Sequence, residues 1–111
     1  MGCQGQSGFD RLDCDLQAMS APPLCSSGSI SPRLQGLVLH KLKALRSRLE
    51  RAHQRGGKGL NRVATRMDGV LSSLQQVIAR ALKHHRIDAS CQAALNQQLA
   101  ALRGEAAALR Q

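Results

Sequence analysis

The chain has 111 residues, with 16 Lys and Arg against 7 Asp and Glu and a single aromatic residue, Phe9. That length suits one domain at most, and 42% apolar residues are enough for a packed core. The net charge of +9 and isoelectric point near 10.8 point to an acidic partner, while no apolar run approaches the roughly 20 residues that a membrane-spanning helix needs.

Residues 1–31 are rich in Gly, Ser, Gln and Pro and carry three Asp against Arg11 alone. They lack a sustained apolar period and are expected to form a disordered tail, dispensable for folding. A basic segment followed by an apolar one is missing, so no secretory signal peptide is expected and the expected location is cytoplasmic, or nuclear in a eukaryote. Met1-Gly2-Cys3 is a near miss for dual acylation, because Gln6 stands where the pattern wants Ser or Thr. Cys3, Cys14 and Cys25 recur at intervals of 11, but zinc sites need pairs two to four residues apart. In a reducing compartment a disulfide framework is not expected either. Cys91 reads as a small apolar residue in a helix.

From Ser31 the pattern changes to an all-α one. Ser31 suits a cap, Pro32 the first helical position, and Leu34, Val38, Leu42, Leu45, Leu49 and Ala52 follow in steps of three and four. A helix is predicted over about 32–55, ending at Gly56-Gly57-Lys58-Gly59, where one glycine can supply a left-handed cap. The second segment, Leu60, Val63, Met67, Val70, Leu74, Val77 and Ala81 with Ala64, Leu71 and Ile78 beside them, predicts a helix over about 60–86. Leu71 and Leu74 are central to it and are expected in the core. Asp88 can cap a third helix over about 88–110, with Leu95, Leu99, Leu102, Ala106 and Leu109 as its seam. The short glycine turn favours an antiparallel hairpin of the first two, with the third joined through a turn or kink at Ile87-Asp88, giving a coiled-coil-like helical domain over 32–111.

The charge is concentrated. Between Arg33 and Arg66 ten Lys or Arg face one acid, Glu50. Lys41, Arg48 and Arg55 fall at g positions of the first helix and Arg46 at e, places that ordinarily pair with acids on a neighbour, and the other two helices have few to offer. A solvated face is the common explanation of such a row, but this imbalance raises an external polyanion to equal standing. Lys41, Lys43, Arg46, Arg48, Arg51, Arg55, Lys58, Arg62 and Arg66 are the candidate polyanion-binding residues. Nucleic acid is the leading polyanion, and the first helix would present its cations along roughly 36 Å. With no aromatic beyond Phe9 to stack bases, contact with duplex phosphates fits better than single-strand binding. An anionic membrane surface ranks lower for want of Trp or Phe anchors. Arg55-Gly-Gly-Lys58 echoes an arginine-glycine box but serves first as a turn, and Gly59 replaces the Ser or Thr of a phosphate-binding P-loop.

Catalysis is not expected. His84 and His85 point about 100° apart on a helix, His40 and His53 lie on different sides of the first helix, and no two carboxylates share a spacing that would hold an acid and a base together. No metal or cofactor is indicated. The rival to nucleic-acid binding is a structural or adaptor protein that self-associates through its seams or takes an acidic protein partner, since a domain of this size has a marginal core. A third class is a secreted bacterial effector or its partner, with the first 31 residues as an unstructured export signal.

Overall fold

The computed structural model describes residues 3, 5–6, 8–26 and 28–109. These form four helices: α1 (Gly8–Met19), α2 (Pro32–Gln54), α3 (Leu60–Lys83) and α4 (Ala89–Leu109). The all-α class is as expected, and α3 ends at Lys83, three residues short of the expected 86, because the chain leaves the helix at His84 and takes φ +59° at His85. No helix among the described residues is long and apolar enough to cross a membrane.

The main correction is α1, which occupies the segment expected to be a disordered tail. Its apolar signal is short: Leu12, Leu16 and Met19 form one stripe, and all three are buried. Twelve residues are too few to hold a helix in water unaided, so α1 depends on packing. It lies against both α2 and α4, while α3 also packs on both α2 and α4. The four helices thus close a ring around one core that includes Leu12, Leu42, Met67, Leu71, Leu74, Ile78, Leu95 and Leu99. Stacking of Phe9 on His53, at 3.8 Å between ring centroids, and the Arg46–Asp13 ion pair at 3.1 Å show that α1 runs antiparallel to α2.

The second correction concerns the cysteines. Cys3 is bonded to Cys14 and Cys25 to Cys91, with Cα separations of 5.8 and 5.5 Å. The bond from Cys3 to Cys14, where no disulfide was expected, ties the start of the chain to α1. The second bond fastens the connection between α1 and α2 to the start of α4. Cys3 has no thiol left for acylation, and Gly2 lies outside the described residues.

The ends of the helices follow local chemistry. The Ser31 side chain accepts a hydrogen bond from the Leu34 amide, and Pro32 opens α2. At the other end the Gly56 amide donates to His53 and the Gly57 amide to Ala52, with Gly56 at φ +76°, where a side chain would be strained. Asp88 has two tasks: one carboxylate oxygen accepts from the Cys91 amide at 2.8 Å and caps α4, the other from the Ser29 amide at 2.8 Å. Gly28 lies so near this carboxylate that any Cβ would run into it. Ile30 and Ile87 pair across an isolated antiparallel bridge beside it. The turn itself falls at His84-His85, and Ile87 and Asp88 after it are tied to the connection that precedes α2.

Deleting residues 1–31 tests the role of α1. It removes the buried Leu12, Leu16 and Met19 of α1, worth about 1.5–3 kcal/mol each, together with buried Cys3 and Leu24, the Ser31 cap and both disulfides, and exposes the surfaces they cover. The truncated chain is expected to melt well below the full-length protein and to unfold with reduced cooperativity; coincident thermal curves would show that α1 contributes nothing to the core.

Candidate polyanion groove

Where α2 turns into α3, a cleft of about 420 Å³ is lined by Arg48, Arg51, Arg55, Lys58, Arg62 and Arg66, with Ala52, Gly59 and Val63 as its small uncharged remainder. The placement follows from helical spacing. Arg48, Arg51 and Arg55 lie at i, i+3 and i+7 and share one face of α2; Arg62 and Arg66 lie at i and i+4 on α3. Lys58, between two glycines of the turn, bridges the sets. Buried Ala52 lies between the two arms, and its small side chain leaves the floor open to the long aliphatic stems of the arginines.

All six cations are exposed at their ends, and among the described residues none of them forms an ion pair. Arg51 donates a hydrogen bond to the Ser47 hydroxyl at 3.3 Å. No carboxylate lines the cleft. Six of the seven acids are engaged elsewhere: Asp13 and Glu50 with Arg46, Asp15 and Glu105 with Arg11, Asp68 with Arg103, and Asp88 with backbone amides; Asp10 stands in the first turn of α1. Like charges three and four residues apart repel, so the cleft is a region of unrelieved positive potential. The first turn of α3 adds the positive end of its helix dipole.

Of the nine residues singled out by sequence, six therefore meet in one cleft and three do not. Lys41 and Lys43 are exposed on α2 but lie about two or more turns farther from the glycine turn than Arg48 and Arg55 do on average. Arg46 is turned toward α1, held by Asp13 at 3.1 Å and Glu50 at 3.2 Å. The expectation that no internal acid reaches the row fails at this position, because Asp13 comes from the segment expected to be disordered.

A second cleft, of about 530 Å³, lies between α1, the following connection and α4. It contains Asp15 and Glu105, a pair of carboxylates that sequence spacing could not reveal because 90 positions separate them. Arg11 Nε is 3.2 Å from Asp15 Oδ2 and 3.4 Å from Glu105 Oε1. Burial, aided by hydrogen bonding to Asp15 and repulsion from it, pushes Glu105 up from 4.5 to about 7 despite the opposing Arg11 charge. Among the described residues no group of three or more His, Cys, Asp or Glu is arranged to hold a metal ion.

No protein-family model matches the chain, and no curated protein or solved structure shows significant similarity to it.

The Glu105 shift has a defined consequence for stability. The folded chain keeps this proton to about pH 7, whereas an unfolded Glu releases it near 4.5. Between these values the folded state binds more protons, so stability should fall as pH rises from about 4.5 to 7 and level off above. Glu105→Gln should flatten that part of a melting-temperature profile; an unchanged slope in the variant would assign the pH dependence to another group.

Proposed function

We propose that this protein is a non-enzymatic binding module that docks on the phosphates of nucleic acid through the groove between α2 and α3. The convergence of six unpaired cations in a cleft without a single carboxylate is the observation that supports this reading. Five of the six are arginines, whose planar forks match phosphate oxygens in pairs. The docking surface is narrower than a whole basic helix: it centres on the end of the hairpin, and Lys41, Lys43 and Arg46 supply general positive potential around it. Contact with a duplex backbone is favoured over single-strand binding because no aromatic side chain lines the groove for a base to stack on.

The two disulfides support a protein that matures in an oxidising compartment, in place of the cytoplasmic or nuclear setting expected for want of a signal-peptide pattern.

If about three phosphates engage the groove, the affinity of the full-length protein for a duplex should fall with salt at a log–log slope near −2.7, similarly for any base sequence. The triple variant Arg55→Gln, Arg62→Gln, Arg66→Gln should lose most of that slope, since each lost contact flattens it by about one. Lys41→Gln with Lys43→Gln should change it little. Equal slopes in the parent and the groove variant would remove the groove from the binding surface, and a parent without salt-sensitive binding would end the polyanion reading.

A further inference from the structure

We infer that the α2–α3 groove is shaped for condensed phosphate, meaning consecutive phosphates joined through shared anhydride oxygens. The inference rests on the polyanion reading above and narrows the chemistry of that site. Two sources offer such a group: free inorganic polyphosphate, and the triphosphorylated end of a nucleic-acid strand.

Three features of the groove lead to it. The first is charge density. Arg48 to Arg55 span only about 10 Å of α2 and Arg62 to Arg66 about 6 Å of α3, with Lys58 on the turn that joins them. Successive phosphates of a nucleic-acid strand are separated by a sugar, and one strand presents a charge for about every 3.4 Å of duplex axis, so a frontage of this length meets only about three. Phosphates joined by one bridging oxygen concentrate their charge far more tightly and can engage cations on both arms of the hairpin together.

The second feature is what the lining omits. Beside the six cations only Ala52, Gly59 and Val63 line the cleft. No aromatic ring is present to stack on a base, and no side chain there offers a hydrogen-bond acceptor to a base or to a sugar hydroxyl. Every polar side chain in the cleft is a donor, which suits a ligand whose surface consists of acceptor oxygens.

The third is the energetic state of the empty groove. Arg51 with Arg55 and Arg62 with Arg66 are like-charge neighbours one helical turn apart, and no internal acid relieves them. A ligand of high charge density removes this repulsion upon binding, so its gain exceeds that of the same number of dispersed phosphates. The fold also holds the two arms at a fixed spacing, through the Gly56 cap and the buried floor at Ala52, so the ligand orders the side-chain ends but not the backbone that carries them.

Competition on the oxidised full-length protein decides it, at constant ionic strength and without divalent metal. A short fluorescent duplex with hydroxyl ends is bound first and then displaced by tripolyphosphate or by orthophosphate. Tripolyphosphate is expected to displace it at a total phosphate concentration at least about tenfold lower than orthophosphate, and to raise the melting temperature of the parent but not of the Arg55→Gln, Arg62→Gln, Arg66→Gln variant. Direct binding of a triphosphorylated strand and of the same strand with a hydroxyl end then separates the sources. Preference for the triphosphorylated strand supports the strand end as ligand, and equal binding of both with tight binding of long-chain polyphosphate supports the free polymer. If tripolyphosphate displaces the duplex no better than orthophosphate at equal phosphate, condensed phosphate is ruled out while backbone docking stands. If the duplex itself fails to bind in a salt-sensitive way, the underlying polyanion reading fails instead. The competition on the parent needs no variant, so a misfolded triple variant leaves the answer intact.

Discussion

The structure depends on closing the ring of helices around the apolar stripe of α3. That helix buries Ala64, Met67, Leu71, Leu74, Ile78 and Ala81, and α2 and α4 each cover one of its sides. α2 and α4 do not pack on each other, so the remaining side of the core would be open to water without Leu12, Leu16 and Met19 of α1. The short helix is thus a structural member, and its two anchors make sense in this light. One disulfide fixes its own N-terminal extension, and the other fixes the chain that leaves it.

Packing that draws nearly all the large apolar side chains inward has an electrostatic consequence. Among the described residues no charged or polar residue is buried, and Leu37 is the one large apolar residue left well exposed. Cations therefore crowd the outer faces, and the acids that could balance them are taken by contacts that hold the ring together: Arg46 by Asp13 across α1 and α2, Arg11 by Glu105 across α1 and α4, and Arg103 by Asp68 across α3 and α4. Each of these exposed or half-exposed pairs contributes little to stability by itself. Together they leave the α2–α3 turn without a carboxylate. The basic groove is what remains when the acids are spent on the joints.

Much of this was legible in the sequence, for reasons that differ by element. The steps of three and four through α2 and α3 are long and regular, Ser31 and Asp88 are strong caps, and Gly56, Gly57 and Gly59 stand where the turn takes left-handed backbone. The α1 stripe has only three members and lies among Gly, Ser and Pro, so its helix is decided by tertiary burial, which local pattern does not report. The cysteine pairings were hidden for a related reason: Cys25 and Cys91 are 66 positions apart and meet only because the turn at His84-His85 brings the start of α4 to the connection after α1. At the groove, composition identified the cations, and the structure sorted them. Seven-residue spacing grouped Lys41 with Arg48 and Arg55, but distance from the turn, and capture by Asp13 in the case of Arg46, determine which belong.

The central claim is that six particular cations, and not the positive surface at large, receive the anion. Arginine Nε–H resonances report this directly, because each side chain gives its own signal and a phosphate at the guanidinium shifts it. On titration of the full-length protein with a short duplex, the signals of Arg48, Arg51, Arg55, Arg62 and Arg66 should move together and saturate with one affinity, while those of Arg33, Arg80 and Arg103 stay in place. Shifts spread evenly over all the arginines, or confined to Arg80 and Arg86 at the other end of α3, would contradict the assignment of the groove.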